Sequence, residues 1–169
     1  MKPYKITALV PGQYQVCQED QIIGHWIYPK WHERQSEIKL SDGRVWQVKP
    51  KSFWGNATEI FDAHGILAEF KMCWNGSMEI QIFKPEQTYV FYFQLKGFWK
   101  TSYRLLNQNR QELCTLIPDV KWNRTHYDLS IETSDEFEQL ESKDIILFAM
   151  VLCANYHIKS ISSAAVNAS

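Results

Sequence analysis

Ser142-Lys143-Asp144-Ile145-Ile146-Leu147-Phe148-Ala149-Met150-Val151-Leu152-Cys153-Ala154-Asn155-Tyr156-His157-Ile158-Lys159 is the stretch that decides the fold. Ser142 suits an N-cap, and Asp144 places a carboxylate where unpaired N–H groups and the helix dipole favour one. Lys159 stands where a helix C-terminus favours a cation. The spacing predicts one helix over about 143–158, roughly 24 Å long at 1.5 Å per residue. From Ile145 to Ala154 every residue is apolar. A helix packed on the outside of a sheet shows one apolar stripe and one polar face. This one has no polar face, so it must be enclosed by protein or by lipid. A bilayer requires about 20 apolar residues. The run is half that, so no transmembrane span is expected and the segment reads as a core helix.

The rest of the chain reads as strands. At 169 residues and 19.9 kDa it holds one domain, expected over 1–159, with a small polar tail at 160–169 expected to be disordered. An apolar fraction of 45% can fill a sizeable core. The 14% of aromatic residues suits sheets more than helix bundles. A net charge of −1 lacks the basic surplus that displaces counterions, so nucleic acid is not an expected partner.

Up to about residue 133 the pattern has period two. In Glu37 to Val48, the apolar face should hold Ile38, Leu40, Trp46 and Val48. A two-residue Asp42-Gly43 loop would put Trp46 opposite Lys39, on the wrong face. The three-residue loop Ser41-Asp42-Gly43, with Gly43 in a left-handed conformation, restores the match. The same geometry is expected for Ile60 to Phe70, with Gly65 left-handed and Ile60, Ile66, Ala68 and Phe70 in phase. Tyr103–Leu105 and Leu113–Ile117, joined around Asn107-Gln108-Asn109-Arg110, read as a third copy without the glycine. Further strands are expected at Ile6–Val10, Tyr14–Cys17, Ile22–Tyr28, Met78–Phe83, Thr88–Leu95 and Tyr127–Thr133. A helix about 10 Å across does not fit the side-chain-filled lumen of an eight-stranded barrel. About twelve strands would enclose it. The expected fold is therefore mainly β, a closed antiparallel barrel of about 12 strands around a buried hydrophobic C-terminal α-helix.

On these residues the chain resembles the tubby C-terminal-like domains, a group that includes the phospholipid scramblases and the plant LURP-one-related proteins. The resemblance rests on the hairpins Leu40-Ser41-Asp42-Gly43-Arg44-Val45 and Ile60-Phe61-Asp62-Ala63-His64-Gly65-Ile66-Leu67, with the closing helix Asp144–Tyr156. It implies a twelve-stranded barrel around a hydrophobic helix. It carries over no functional residue: no basic phosphoinositide pocket maps onto this sequence, and no scramblase-like cysteine cluster or acidic calcium-binding segment stands beside the helix.

The chemistry-bearing residues are scattered. Cys17, Cys73, Cys114 and Cys153 form no C-x-x-C and read as reduced thiols. His25, His32, His64, His126 and His157 include no i,i+4 pair, so no metal site is expected. No G-x-S-x-G or phosphate-binding glycine loop occurs, and no catalytic residue or cofactor is expected. No apolar run follows Met1-Lys2-Pro3-Tyr4, so no secretion signal is expected. The triplets at Asn56, Asn75, Asn123 and Asn167 then carry no glycans, and Asn75-Gly76-Ser77 reads as a turn.

Three segments mix cations with aromatic rings: Tyr28-Pro29-Lys30-Trp31-His32-Glu33-Arg34, Lys49-Pro50-Lys51-Ser52-Phe53-Trp54 and Lys96-Gly97-Phe98-Trp99-Lys100. Tryptophan beside lysine suits a membrane's headgroup region, where the ring straddles apolar and wet layers and the ammonium meets phosphate. The plainer reading is that the rings cap the barrel ends under lysine stems. The candidate binding residues are Lys30, Trp31, Arg34, Lys49, Lys51, Trp54, Lys96, Trp99 and Lys100. The expected function is a non-enzymatic binding or scaffold domain, cytoplasmic and peripheral at the membrane, with anionic phospholipid or a protein as partner. The alternative is a lipocalin-like barrel for a small apolar ligand, on the strength of Gly24-His25-Trp26. A lumen plugged by the helix is expected to leave such a ligand no cavity.

Overall fold

A computed structural model describes residues 3–28, 35–51, 57–97, 101–119 and 127–167. Twelve strands follow one another: β1 Tyr4–Val10, β2 Gln13–Gln18, β3 Gln21–Ile27, β4 Ser36–Leu40, β5 Val45–Pro50, β6 Ala57–Asp62, β7 Gly65–Met72, β8 Met78–Phe83, β9 Thr88–Lys96, β10 Ser102–Leu106, β11 Glu112–Asp119 and β12 Asp128–Thr133. Each pairs antiparallel with its neighbours in sequence, and β1 pairs with β12 through Tyr4↔Ile131, Lys5↔Ser130 and Ile6↔Leu129. The barrel is closed, so none of the described strands keeps a free edge to pair with another chain.

The period-two reading becomes the two faces of the wall. Ile38 pairs with Trp46 and both point inward, 0% and 4% exposed. Leu40 N donates to the Arg44 carbonyl at 2.9 Å around a loop of Ser41, Asp42 and Gly43, and Gly43 has φ +90°. The β10–β11 loop repeats this geometry. Asn107 N donates to the Gln111 carbonyl at 3.0 Å, and Arg110, at φ +63°, takes the left-handed position that glycine holds elsewhere. The β6–β7 hairpin departs from the expectation. Asp62 pairs directly with Gly65, and a register shift then intervenes before Ile60 meets Ala68. Asp62 Oδ1 accepts from the N–H groups of His64 and Gly65, at 2.7 and 3.2 Å, which closes a loop one residue shorter. Ile66 consequently leaves the apolar face and is 47% exposed.

A short helix, α1 Asp135–Glu138, follows β12 and has no counterpart in the sequence reading. Ser134 caps it, its side chain accepting from Phe137 N. Helix α2 then spans Lys143–Asn167. Every residue from Ile145 to Asn155 is buried, so the apolar run has barrel wall on all sides. The helix does not stop near 158. Neither glycine nor proline interrupts Ser160 to Asn167, and serine and alanine accept helical backbone at small cost, so the expected tail is helical through Asn167.

Wall and helix fit through matched shapes. Phe148 meets Trp46 edge-on with ring centroids 6.2 Å apart. Trp26 is fully buried, stacks on Tyr14 at 5.2 Å, and satisfies its indole N–H on Ser36 Oγ at 2.9 Å. In the same Gly24-His25-Trp26 triplet, Gly24 lies against Phe148 of the helix.

Candidate functional site at one rim of the barrel

An up-and-down barrel sends alternate connections to opposite ends. The connections β1–β2, β3–β4, β5–β6, β7–β8, β9–β10 and β11–β12 therefore open at one rim, and the remaining turns with α1 lie at the other. The helix N-terminus belongs to the second rim, where Arg44 Nη2 approaches Asp144 Oδ2 at 3.3 Å. Its C-terminal half belongs to the first, where Asn155 Nδ2 donates to Tyr28 Oη at 3.1 Å and His157 Nδ1 lies 3.0 Å from Tyr103 Oη.

The two rims differ in composition. Of seven tryptophans, two, Trp26 and Trp46, are buried in the wall. The other five, Trp31, Trp54, Trp74, Trp99 and Trp122, all fall in connections of the first rim. The same connections carry Lys30, Arg34, Lys51, Lys100, Lys121 and Arg124 against the one carboxylate of Glu33. The second rim carries Glu19, Asp20, Asp42, Glu86, Asp135, Glu136, Glu138 and Glu141 against Arg44, Lys84 and Arg110. The near-zero net charge hides this polarity, because the opposite excesses belong to connections anchored at opposite ends.

The candidate residues divide between described and undescribed positions. Lys30, Trp31, Arg34, Trp54, Trp99 and Lys100 lie outside the described residues, but the strand ends that anchor their segments share the first rim. Lys49 and Lys96 lie near the ends of β5 and β9, and Lys51 opens the β5–β6 connection. Lys49 Nζ sits 4.6 Å from the Phe61 ring centroid. Lys51 Nζ bonds Glu69 Oε2 at 2.8 Å, and that hydrogen bond holds the lysine above its ordinary pKa. Lys96 Nζ bonds Glu112 and also reaches Thr115 Oγ1 at 3.3 Å. Burial pushes the Glu112 carboxyl up, but the bonds from Lys96 and Thr115 more than offset it and leave the group below its ordinary value. Lys51 and Lys96 are thus already matched by carboxylates of the wall.

Two contributions escaped the sequence reading. One is Trp74 in the β7–β8 turn. Cys73 N donates to the Ser77 carbonyl at 2.7 Å, Gly76 has φ +77°, and Ser77 N donates to Asn75 Oδ1 at 3.1 Å. That turn holds the indole fully in solvent, at 108% relative exposure. The other is Lys121-Trp122-Asn123-Arg124, outside the described residues, whose tryptophan between two cations repeats the chemistry of the three quoted segments. A search for Trp flanked by Lys or Arg finds the second; the first has no cation beside it.

The helix does not fill this end of the lumen. A cavity of about 650 Å³ lies between α2 and strands β4 to β7, lined by Val48, Phe70 and Leu152 and by Tyr28, Asn155 and Lys159 among others. The expectation that the plugged barrel leaves no ligand space is corrected here: the eleven-residue buried run ends at Asn155, below the rim. Lys159 Nζ lies 4.8 Å from the Tyr28 ring centroid. Burial keeps the Tyr28 hydroxyl protonated well beyond the ordinary tyrosine range, an effect the bond from Asn155 only partly opposes. Among the described residues no cluster of His, Cys, Asp and Glu could hold a metal ion. No described helix is long and apolar enough to cross a membrane.

The crystal structure of a protein from Arabidopsis thaliana is similar to this chain, with 9% sequence identity, a TM-score of 0.56, and coverage of 94% of this chain and 91% of that one. At that identity the likeness shows the fold alone. No family model matches the chain, and no curated protein matches it.

Proposed function

We propose that this domain is a non-enzymatic module that docks on anionic membrane surfaces through its tryptophan-bearing rim, and that the chain is a divergent tubby-like barrel. The twelve strands around an axial helix, and the fold shared with the Arabidopsis protein, support the second part. Trp74 carries the first. An indole left wholly in water at a barrel rim is not capping the core beneath it. Tryptophan partitions to the boundary between headgroups and acyl chains, and each nearby Lys or Arg adds ~1 kcal/mol of attraction to an anionic leaflet. The acidic opposite rim would be repelled by the same leaflet, so the charge distribution orients the barrel with the tryptophans toward lipid.

Co-sedimentation with phosphatidylserine-containing vesicles, compared with pure phosphatidylcholine, tests this. Binding should require the anionic lipid and weaken as salt screens it. Trp74→Ala should reduce binding without moving the melting temperature, because the side chain touches no core. Absence of vesicle binding by the wild-type protein at low salt removes the reading.

A further inference from the structure

We propose that the cavity beside Lys159 binds one long-chain carboxylate, its head held at the rim and its alkyl chain laid between α2 and the barrel wall. This goes beyond docking on a membrane surface, because the site is a cleft between α2 and the wall, open to solvent at the rim, with its own donors. Its size, about 650 Å³, is that of small-molecule sites, which run about 300–1,000 Å³. Its walls include Val48, Phe70 and Leu152, all core residues no more than 5% exposed, which suit hydrocarbon.

The polar lining comprises Tyr28, Asn155 and Lys159, together with Ser160, Thr58 and Ser36, whose Oγ already accepts from Trp26. Lys159 is the cation there, and no described carboxylate pairs with it; its ammonium rests over the Tyr28 ring instead. Partial burial beside the Tyr28 ring holds this lysine below its ordinary pKa, while the side chain as a whole stays exposed to solvent. The Tyr28 oxygen accepts from Asn155, and no described residue accepts the proton that its hydroxyl keeps. One ammonium and one hydroxyl match the two oxygens of a carboxylate, and charge-assisted bonds of this kind are the strong ones. An amphiphile satisfies both halves of the site at once. A wholly apolar ligand would leave Lys159 unmatched, and a small anion would leave the apolar walls wet.

The experiment titrates the purified chain with palmitate below its aggregation concentration, following heat or displacement of a fluorescent fatty-acid analogue. Saturable one-to-one binding is expected. Methyl palmitate, which has the chain without the charge, should bind at least tenfold more weakly. Lys159→Glu should lower palmitate affinity at least tenfold, while Lys159→Arg retains most of it. Lys159 is exposed, so these variants should keep the wild-type melting temperature. Tyr28→Phe, which removes only the hydroxyl, should cost several-fold and gives a second reading of the same site. Trp74→Ala should bind palmitate normally while losing vesicle association, which separates this proposal from the membrane reading. No saturable palmitate binding, equal binding by Lys159→Glu, or loss of palmitate binding in Trp74→Ala would each overturn the cavity as the site.

Discussion

Gly24 of β3 lies against the Phe148 ring of the axial helix with no room for another carbon between them. A Cβ at Gly24 would stand 3.1 Å from Phe148 Cζ and 2.6 Å from the Lys39 carbonyl oxygen of the neighbouring strand. The ring can yield by turning, but the carbonyl belongs to the β3–β4 ladder and cannot move without breaking pairing at Gly24↔Leu40. Gly24→Ala should therefore destabilise the domain by about 1–3 kcal/mol, the cost of overpacking a well-filled core. Chemical denaturation measures it. An unchanged midpoint would mean that the wall is looser than this contact requires.

Met150 sits near the middle of the buried helical run at 0% exposure. A carboxylate there would have wall on every side, and an unpaired buried charge costs several kcal/mol or more against a total stability of roughly 5–15. Met150→Asp should not yield a folded chain. Met150→Ala, which leaves only a cavity, should fold with a loss of about 2–5 kcal/mol. A cooperatively melting Met150→Asp protein would show that the helix can leave the lumen.

Glu138 fastens the seam where the barrel closes. Its carboxylate accepts from Thr133 Oγ1 at 2.6 Å, Tyr4 Oη at 3.1 Å and Lys143 Nζ at 3.1 Å, and so joins β12, β1, α1 and α2. Burial pushes this carboxyl up, but the bonds from Thr133 and Lys143 with the lysine charge outweigh it, and the group titrates below its ordinary range. A carboxyl depressed in the native state adds stability that is fully present above its unfolded pKa, roughly 4.3, and is lost as pH falls through the native value. Glu138→Gln should melt below the wild type at neutral pH, and the two melting temperatures should converge as pH drops under about 4. Curves that stay parallel down to pH 3, a test value below roughly the ordinary carboxylate range, would mean that Glu138 is not part of the acid response.

What was legible in advance was whatever the chain states within a few residues. The Ser41-Asp42-Gly43 loop could be deduced because Trp46 and Ile38 had to share a face, and only an odd loop length does that. Arg110 could stand in for a glycine because a left-handed residue is needed at that step of the same loop. The β6–β7 hairpin failed because Asp62 offers its own side chain to two backbone N–H groups, a competing local bond that shortened the loop and expelled Ile66. Helix α1 was missed because four residues are too few for a periodic signal.

The candidate site was half legible. Lysine beside tryptophan marks a chemistry, and three of its segments could be named from the chain alone. Their gathering could not. It follows from closure of an up-and-down barrel, which returns alternate connections to the same end, and from nothing in the segments themselves. Lys51 and Lys96 were indistinguishable in the sequence from cations without partners, since Glu69 and Glu112 reach them only across paired strands.

By itself, then, the sequence determined the strands, most of the turns and an apolar helix that had to be enclosed, because alternation, left-handed positions and the absence of a polar face are properties of neighbouring residues. Tertiary structure alone decided that the strand ends anchoring the tryptophan-bearing connections share one rim, that the acidic turns share the other, and that the helix ends its buried run at Asn155 and leaves a cavity beside Lys159. Those outcomes depend on register and closure, which bring together residues as distant in sequence as Tyr28 and Lys159.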